Sequence, residues 1–150
     1  PLLHHCAMLA QALSARHTIQ TLVADDSLVV LCDSERLEQV LMNLLTNAIK
    51  YAPESPNIEL RLARDGDQAA LEVIDHGPGI PAADLPHVFS CFYQSARSDR
   101  PADGGLGLGL FISEQIIALH QGTIQVTSAP GQGARFTIRL PLHTPAAPPR

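Results

Sequence analysis

The stretch that most constrains this fold runs from Asp33 to Tyr51. Leu37, Val40, Leu41, Leu44, Leu45 and Ala48 gather on one side of a helix turning about 100° per residue. Asp33 and Ser34 supply N-cap side chains, Glu35 occupies the first turn where the helix dipole favours an acid, and Pro53 and Pro56 end the run. A long helix with one apolar stripe must bury it against another layer. The flanking segments supply that layer as strands. Asn57 to Arg64 and Gln68 to Ile74 pair across Arg64-Asp65-Gly66-Asp67 as a hairpin. Thr123 to Thr127 and Arg135 to Leu140 read as two more strands, joined by Pro130-Gly131-Gln132-Gly133. His17 to Val23 alternates weakly, and Leu28 to Cys32 is a β-rich run beyond an Asp25-Asp26 turn. A second helix spans about Leu108 to His120, with Gly122 as its stop. The expected class is α/β in the α+β sense: a two-layer sandwich with helices on one face of a mixed, largely antiparallel sheet.

A chain of 150 residues suits one domain around one core. A formal charge of −5, with ten Lys and Arg spread thinly, argues against nucleic-acid binding, which needs a basic face. An acidic chain that takes a polyanion must instead use metal and backbone N–H groups. Cys6, Cys32 and Cys91 are far apart and form no C-x-x-C pair, so they read as free thiols in a reducing cytoplasm. His4-His5-Cys6 lacks a second ligand pair at zinc-site spacing. The longest apolar stretches fall short of the roughly 20 residues that a membrane span needs, and no charged-then-apolar leader appears. Leu2 to Leu13 reads as an amphipathic helix. The expected organisation is residues 1–14 as a helix trailing from a preceding domain or linker, 15–142 as the globular domain, and 143–150 as a Pro/Ala tail.

Three segments carry chemistry. On the long helix, Gln39, Asn43, Asn47 and Lys50 cluster within about 80° of one another. Two carboxamides a turn apart, followed by a lysine, can hold a hydrated Mg²⁺ and a phosphate, because Mg²⁺ takes oxygen ligands and keeps several waters. Asp75-His76-Gly77-Pro78-Gly79-Ile80 follows a strand, where a carboxylate can accept from an adenine amino group and glycines permit close backbone approach. Gly104-Gly105-Leu106-Gly107-Leu108-Gly109 opens a helix whose free N–H groups and dipole favour an anion. Singly, each has a plain structural reading: a solvated helix face, an Asp-to-Gly turn, a flexible hinge. The long Gly- and Pro-rich stretch from Asp75 to Gly109 is itself more typical of a functional loop than of filler.

These segments, in this order and with these gaps, resemble the histidine-kinase branch of the ATP-binding superfamily shared with DNA gyrase, the mismatch-repair protein MutL and the large heat-shock chaperone. The likeness runs from about Asp33 to Leu142. Glu38 to Tyr51 looks like the family's N box, Asp75 to Ile80 its first glycine box, Val88-Phe89-Ser90-Cys91-Phe92-Tyr93 its F box, and Gly104 to Gly109 its second glycine box. Gly131-Gln132-Gly133 with Phe136 resembles the last box.

The resemblance implies the Bergerat ATP-binding fold, with ATP and Mg²⁺ as cofactors. Asn47 coordinates the metal with Asn43 beside it, Lys50 reaches the phosphates, Tyr51 packs on the adenine, and Asp75 bonds its amino group. Gly77, Gly79 and Ile80 complete the adenine end. Tyr93 begins a lid, with Arg97 and Arg100 touching the triphosphate and Phe89 and Phe92 anchoring it. Gly104, Gly105, Leu106, Gly107, Leu108 and Gly109 cradle the phosphates. The polar run Ser95 to Gly104 is expected to order when a triphosphate binds.

In hydrolysing members and anti-sigma serine kinases a glutamate stands four residues before the metal asparagine; here it is Asn43. An amide cannot be a general base, so the nucleophile must bring its own basicity, as a histidine does. The implied function is the catalytic domain of a two-component sensor histidine kinase, handing a phosphoryl group to a histidine on a separate domain. His4 and His5 do not fit as that acceptor, being followed by Cys-Ala-Met. Implied partners are the protein's own dimerisation and phosphoacceptor domain and a response-regulator receiver domain. No nucleic acid and no membrane insertion of this segment are implied. The full-length protein is expected to be a homodimer and the isolated domain a monomer, in the cytoplasm or as the cytoplasmic part of a membrane-bound sensor. Some positions depart from the family: Ser90-Cys91 and Gln94 in the F box, Leu106 for a small polar residue, and Ala134 where Thr is frequent. These motivate a competing reading as a regulatory nucleotide-binding module; a superfamily ATPase or anti-sigma kinase is the other.

Overall fold

The apolar stripe of the long helix does meet a sheet. The computed structural model describes residues 1–91, 108–145 and 148–150. Among these, the elements in chain order are α1 (Leu2–Leu13), β1 (Thr18–Val23), α2 (Ser34–Tyr51), β2 (Asn57–Asp65), β3 (Gln68–Asp75), a short 3₁₀ turn (Leu85–His87), α3 (Gly109–Leu119), β4 (Thr123–Ser128) and β5 (Ala134–Pro141). The strands form one sheet in the order β1-β2-β3-β5-β4. β1 runs parallel to β2, and the remaining pairs are antiparallel. The three helices share one face of this mixed sheet, with α2 central, α1 beside β1 and α3 beside β4.

α2 starts where its sequence dictates. The Asp33 carboxylate accepts from the Glu35 and Arg36 amides at 3.1 and 3.2 Å, satisfying two of the helix's open donors. Val40, Leu41, Leu44 and Leu45 are buried against Ile58 and Leu60 of β2, Leu71 and Val73 of β3, and Ile138 and Leu140 of β5 in one core. Each such fully buried aliphatic side chain stabilises the fold by roughly 1.5–3 kcal/mol. The opposite face of the sheet is charged and self-paired. Glu59 pairs with Arg61, Arg135 with Glu72 at 3.7 Å, and Arg139 with Asp65 at 2.9 Å.

Local expectations fail in two places, each because a distant neighbour decides. Leu28 to Cys32 forms no strand. β-branched composition reports fit to a paired, half-buried surface, and this run has no ladder beside it. Among the described residues its one backbone hydrogen bond is from the His143 amide to the Val29 carbonyl, at 2.7 Å, and Leu31 is left exposed. At the end of α3, the left-handed residue is Gln121, at φ +59, and not Gly122. The Gly122 amide bonds the Ile117 carbonyl and the Gln121 amide that of Ala118, at 3.0 Å each, which is a Schellman closure. Gly122 is needed for another reason: a Cβ there would overlap the Arg139 carbonyl of β5.

α1 packs into the same core as the sheet, with Cys6, Ala7 and Ala10 buried. Gln11 secures its exit, donating to the Ser14 and His17 carbonyls and accepting from the Ile19 amide. The buried His17 ring bridges the Ser14 hydroxyl, at 2.7 Å, and the Ala52 carbonyl at the end of α2, at 2.8 Å. No break in the core therefore coincides with residue 14.

Candidate nucleotide site

The polar stripe of α2 divides into separate environments. Gln39 accepts from the Arg36 guanidinium at 3.2 Å. Asn43 is half-buried, and its Nδ2 donates to the Gly109 carbonyl and to the Ser113 hydroxyl, both at 3.2 Å. This joins the middle of α2 to the first turn of α3. Asn47, one turn on and half-buried, has no hydrogen-bond partner among the described residues. Lys50 lies at the exposed end, its Nζ 5.4 Å from the centre of the Tyr51 ring, which is itself half exposed.

The Asp75 loop is held rigidly. Asp75 ends β3 and is 9% exposed. One carboxylate oxygen accepts from the amides of Gly77, at 3.0 Å, and Ala134, at 3.3 Å. Its other oxygen has no partner among the described residues. Burial pushes the Asp75 carboxyl above the ordinary Asp value, against the opposing pull of the Gly77 and Ala134 amides. The Ile80 amide donates to the Ser128 hydroxyl at 2.8 Å, which donates to the Gly133 carbonyl at 2.6 Å, and the Gly131 amide reaches the Pro78 carbonyl at 2.7 Å. The loop after β3 is thus stitched to the turn between β4 and β5.

The glycines have a cause that the sequence does not display. A Cβ on Gly77 would come within 2.6 Å of the Ala52 Cβ, and one on Gly79 would overlap the Ala129 carbonyl. Gly79 also sits at φ +77, which other residues rarely adopt. The close approach they permit is between loops of the protein. Gly77 against Ala52 brings the Asp75 loop up to the Lys50–Tyr51 end of α2.

α3 begins at Gly109 behind Leu108, and among the described residues no side chain caps it; a helix start of this kind suits an anion. Phe89 packs edge-on against Phe136 of β5, with ring centroids 6.2 Å apart, and so anchors the start of the F box to the core. Phe92, Tyr93, Arg97, Arg100, Gly104, Gly105, Leu106 and Gly107, and with them the expected lid from Ser95 to Gly104, lie outside the described residues. Ser113 and Ser128 hydrogen-bond the candidate site's segments, and sequence reasoning missed both. Ser113 is a lone hydroxyl in the helical run Phe111-Ile112-Ser113-Glu114-Gln115-Ile116, one turn after Gly109, and that position is the available signal.

Residues 32–144 match the family described as histidine kinase-, DNA gyrase B- and HSP90-like ATPase. The chain belongs to this family. It is 43% identical over 112 residues to the circadian input-output histidine kinase CikA of Synechococcus elongatus, covering 75% of this chain and 15% of that protein. The chain thus spans a small part of such a relative's length. Its structure resembles that of the mycobacterial sensor histidine kinase MprB with a TM-score of 0.82 at 29% identity, covering 95% of this chain and 94% of that one. It also resembles full-length ShkA, solved in complex with AMPPNP, with a TM-score of 0.80 at 32% identity, covering 99% of this chain and 31% of that one. Within the histidine kinase-like ATPase family, the expected two-layer α/β sandwich is the architecture found here: helices on one face of a five-stranded mixed sheet.

Proposed function

We propose that this chain is the ATP-binding catalytic domain of a sensor histidine kinase, which holds Mg²⁺-ATP and delivers the γ-phosphoryl group to a histidine on another domain, for relay to a response regulator. The observation that carries this is Asn43. Its amide nitrogen is committed as a donor to the Gly109 carbonyl and the Ser113 hydroxyl. A carboxylate could not donate to that carbonyl, and an amide cannot activate water. The site can orient a nucleotide while leaving the nucleophile to be supplied by a partner.

The residues present fit both ends of the nucleotide. The second carboxylate oxygen of the buried Asp75, without a partner among the described residues, suits an adenine amino donor. The Asn47 carboxamide and the Oδ1 of Asn43, neither with a partner among the described residues, suit a hydrated Mg²⁺. Held there by Asn47 and Asn43, such an ion would supply positive charge against that developing on the phosphates during transfer. The ShkA likeness supports the adenine-nucleotide reading, since that protein was solved with AMPPNP. Lys50 reaches the phosphates in this reading, with Tyr51 on the adenine and Leu108 and Gly109 at the phosphate end. Among the described residues no helix is long and apolar enough to cross a membrane; the proposed site of action of this segment is the cytoplasm. A helical domain of the same protein and a receiver domain are the proposed partners.

Titration with ADP and ATP, with Mg²⁺ and with EDTA, should show Mg²⁺-dependent binding with negligible turnover. Adding the chain's cognate helical domain should yield acid-labile phosphate on that domain. Steady ATP hydrolysis by the chain alone that survives Asn43→Ala would refute the proposal.

A further inference from the structure

Ser113 belongs to none of the glycine or asparagine boxes, yet it is fully buried at 0% exposure. It lies on α3 one turn beyond Gly109, and its hydroxyl donates to the Gly109 carbonyl at 2.8 Å. The same hydroxyl accepts one Asn43 N–H at 3.2 Å, while Asn43 Nδ2 also donates to the Gly109 carbonyl at 3.2 Å. The three groups form a closed cluster between α2 and the start of α3.

This cluster decides which way the Asn43 amide faces. A backbone carbonyl can only accept, so the edge of the amide against Gly109 must be its nitrogen. The Asn43 oxygen is therefore the edge left unbonded: it stands beside the first residue of α3, 3.9 Å from where a Cβ on Gly109 would lie, and has no partner among the described residues. The terminal torsion of an asparagine is broad and soft. With one acceptor alone the amide can swing, whereas two acceptors fix its plane.

We propose that Ser113 is a positioning residue for the metal–phosphate end of the site, acting through Asn43 by holding its carboxamide oxygen presented to the ligand. Ser113 does not touch nucleotide or metal. The proposal rests on the reading of Asn43 and Asn47 as that end. The bland alternative is a strut that ties α2 to α3 and serves stability alone. Ile116 and Ile117 already bury α3 in the shared core, so the two helices do not depend on this hydroxyl to stay together.

A double-mutant cycle separates these possibilities. ADP affinity is measured by calorimetry with Mg²⁺ and with EDTA for the unaltered chain, Ser113→Ala, Asn43→Ala and the double variant, with thermal unfolding of each alongside. Ser113→Ala should weaken Mg²⁺-ADP binding about 3- to 10-fold, as expected for one lost hydrogen bond. It should leave affinity in EDTA, and affinity for adenosine, unchanged. In the Asn43→Ala background, Ser113→Ala should have no further effect. Equal losses with and without Mg²⁺, or additive losses in the double variant, would overturn the proposal and leave Ser113 a strut. If the unaltered chain itself shows no Mg²⁺ dependence, then the assignment of Asn43 and Asn47 fails first and the role of Ser113 fails with it.

Discussion

Asp75 shows what one residue contributes when stability and binding pull apart. Its carboxylate is buried, and burial raises its pKa despite two amide donors. A carboxyl whose folded pKa exceeds its unfolded value contributes most to stability when protonated, below the unfolded value. That contribution is lost as pH rises through the folded value. Asp75→Asn keeps an oxygen for the Gly77 and Ala134 amides and removes the buried charge. It should therefore leave the unfolding temperature equal or higher at neutral pH, and abolish the relative gain in stability of the unaltered chain on acidification. Binding has the opposite sign if, as proposed, the charged Asp75 oxygen is the acceptor for adenine. Affinity for ADP should fall as pH drops through the raised pKa, and Asp75→Asn should weaken it about 10- to 100-fold, the range for a hydrogen bond to a charged group. The variant should also relax discrimination between ATP and GTP. Asn47→Ala should do the reverse, weakening Mg²⁺-ATP while sparing adenosine. Identical selectivity losses in the two variants would show that the two ends are wrongly assigned.

Elements whose patterning and partners are local were plainest in the sequence, whereas β1, whose partner β2 is remote, showed only weak alternation. α2 announced itself through Asp33 and its apolar stripe, and the β2–β3 hairpin through Asp65-Gly66-Asp67, with Asp65 opposite Gln68 in the register found. The end of α3 was misread because two adjacent residues divide one task. Gln121 takes the left-handed turn while Gly122 clears the Arg139 carbonyl, and no pattern within the helix reports where β5 passes. The same holds for the site. The sequence offers Asn47, Lys50 and Asp75 as candidates, but the tie from Asn43 to Ser113 spans 70 positions. The contact between Gly77 and Ala52 likewise exists only after folding. The division of labour at α3 predicts opposite signs for two neighbouring substitutions. Gln121→Gly relieves a left-handed side-chain residue and should stabilise by about 0.5–1 kcal/mol net of the entropy added to the unfolded chain. Gly122→Ala should destabilise by about 1–3 kcal/mol, since its Cβ forces α3 away from β5. Urea unfolding of both variants checks the pair; the same sign for both would contradict this account.

For the molecule as a whole, the open question of organisation is whether α1 is an appendage or part of the folding unit. The packing favours the second. Cys6 and Ala10 are at 0% exposure, and the Gln11 and His17 bonds tie the exit of α1 to β1 and to the end of α2, beside the Gly77 contact. Cys6 offers a direct reporter. Its thiol is pushed up to about 11, mainly by burial and further by the Glu38 carboxylate, so in the folded state it is both covered and protonated. Cys91 is exposed and Cys32 half-buried. A maleimide reagent should label Cys91 rapidly and Cys6 only when α1 opens. If α1 opens together with the rest of the domain, any ligand that binds the folded state alone must slow Cys6 labelling by mass action. At 100 times its dissociation constant the slowing is about 100-fold, equivalent to about 2.7 kcal/mol. Labelling of a Cys91→Ser variant in the presence and absence of saturating Mg²⁺-ADP therefore measures the coupling between the N-terminal helix and the nucleotide site. Slowing that tracks ligand concentration would make α1 one cooperative unit with the sheet. A Cys6 rate indifferent to nucleotide would mean that α1 opens on its own, and that the folding unit begins after it.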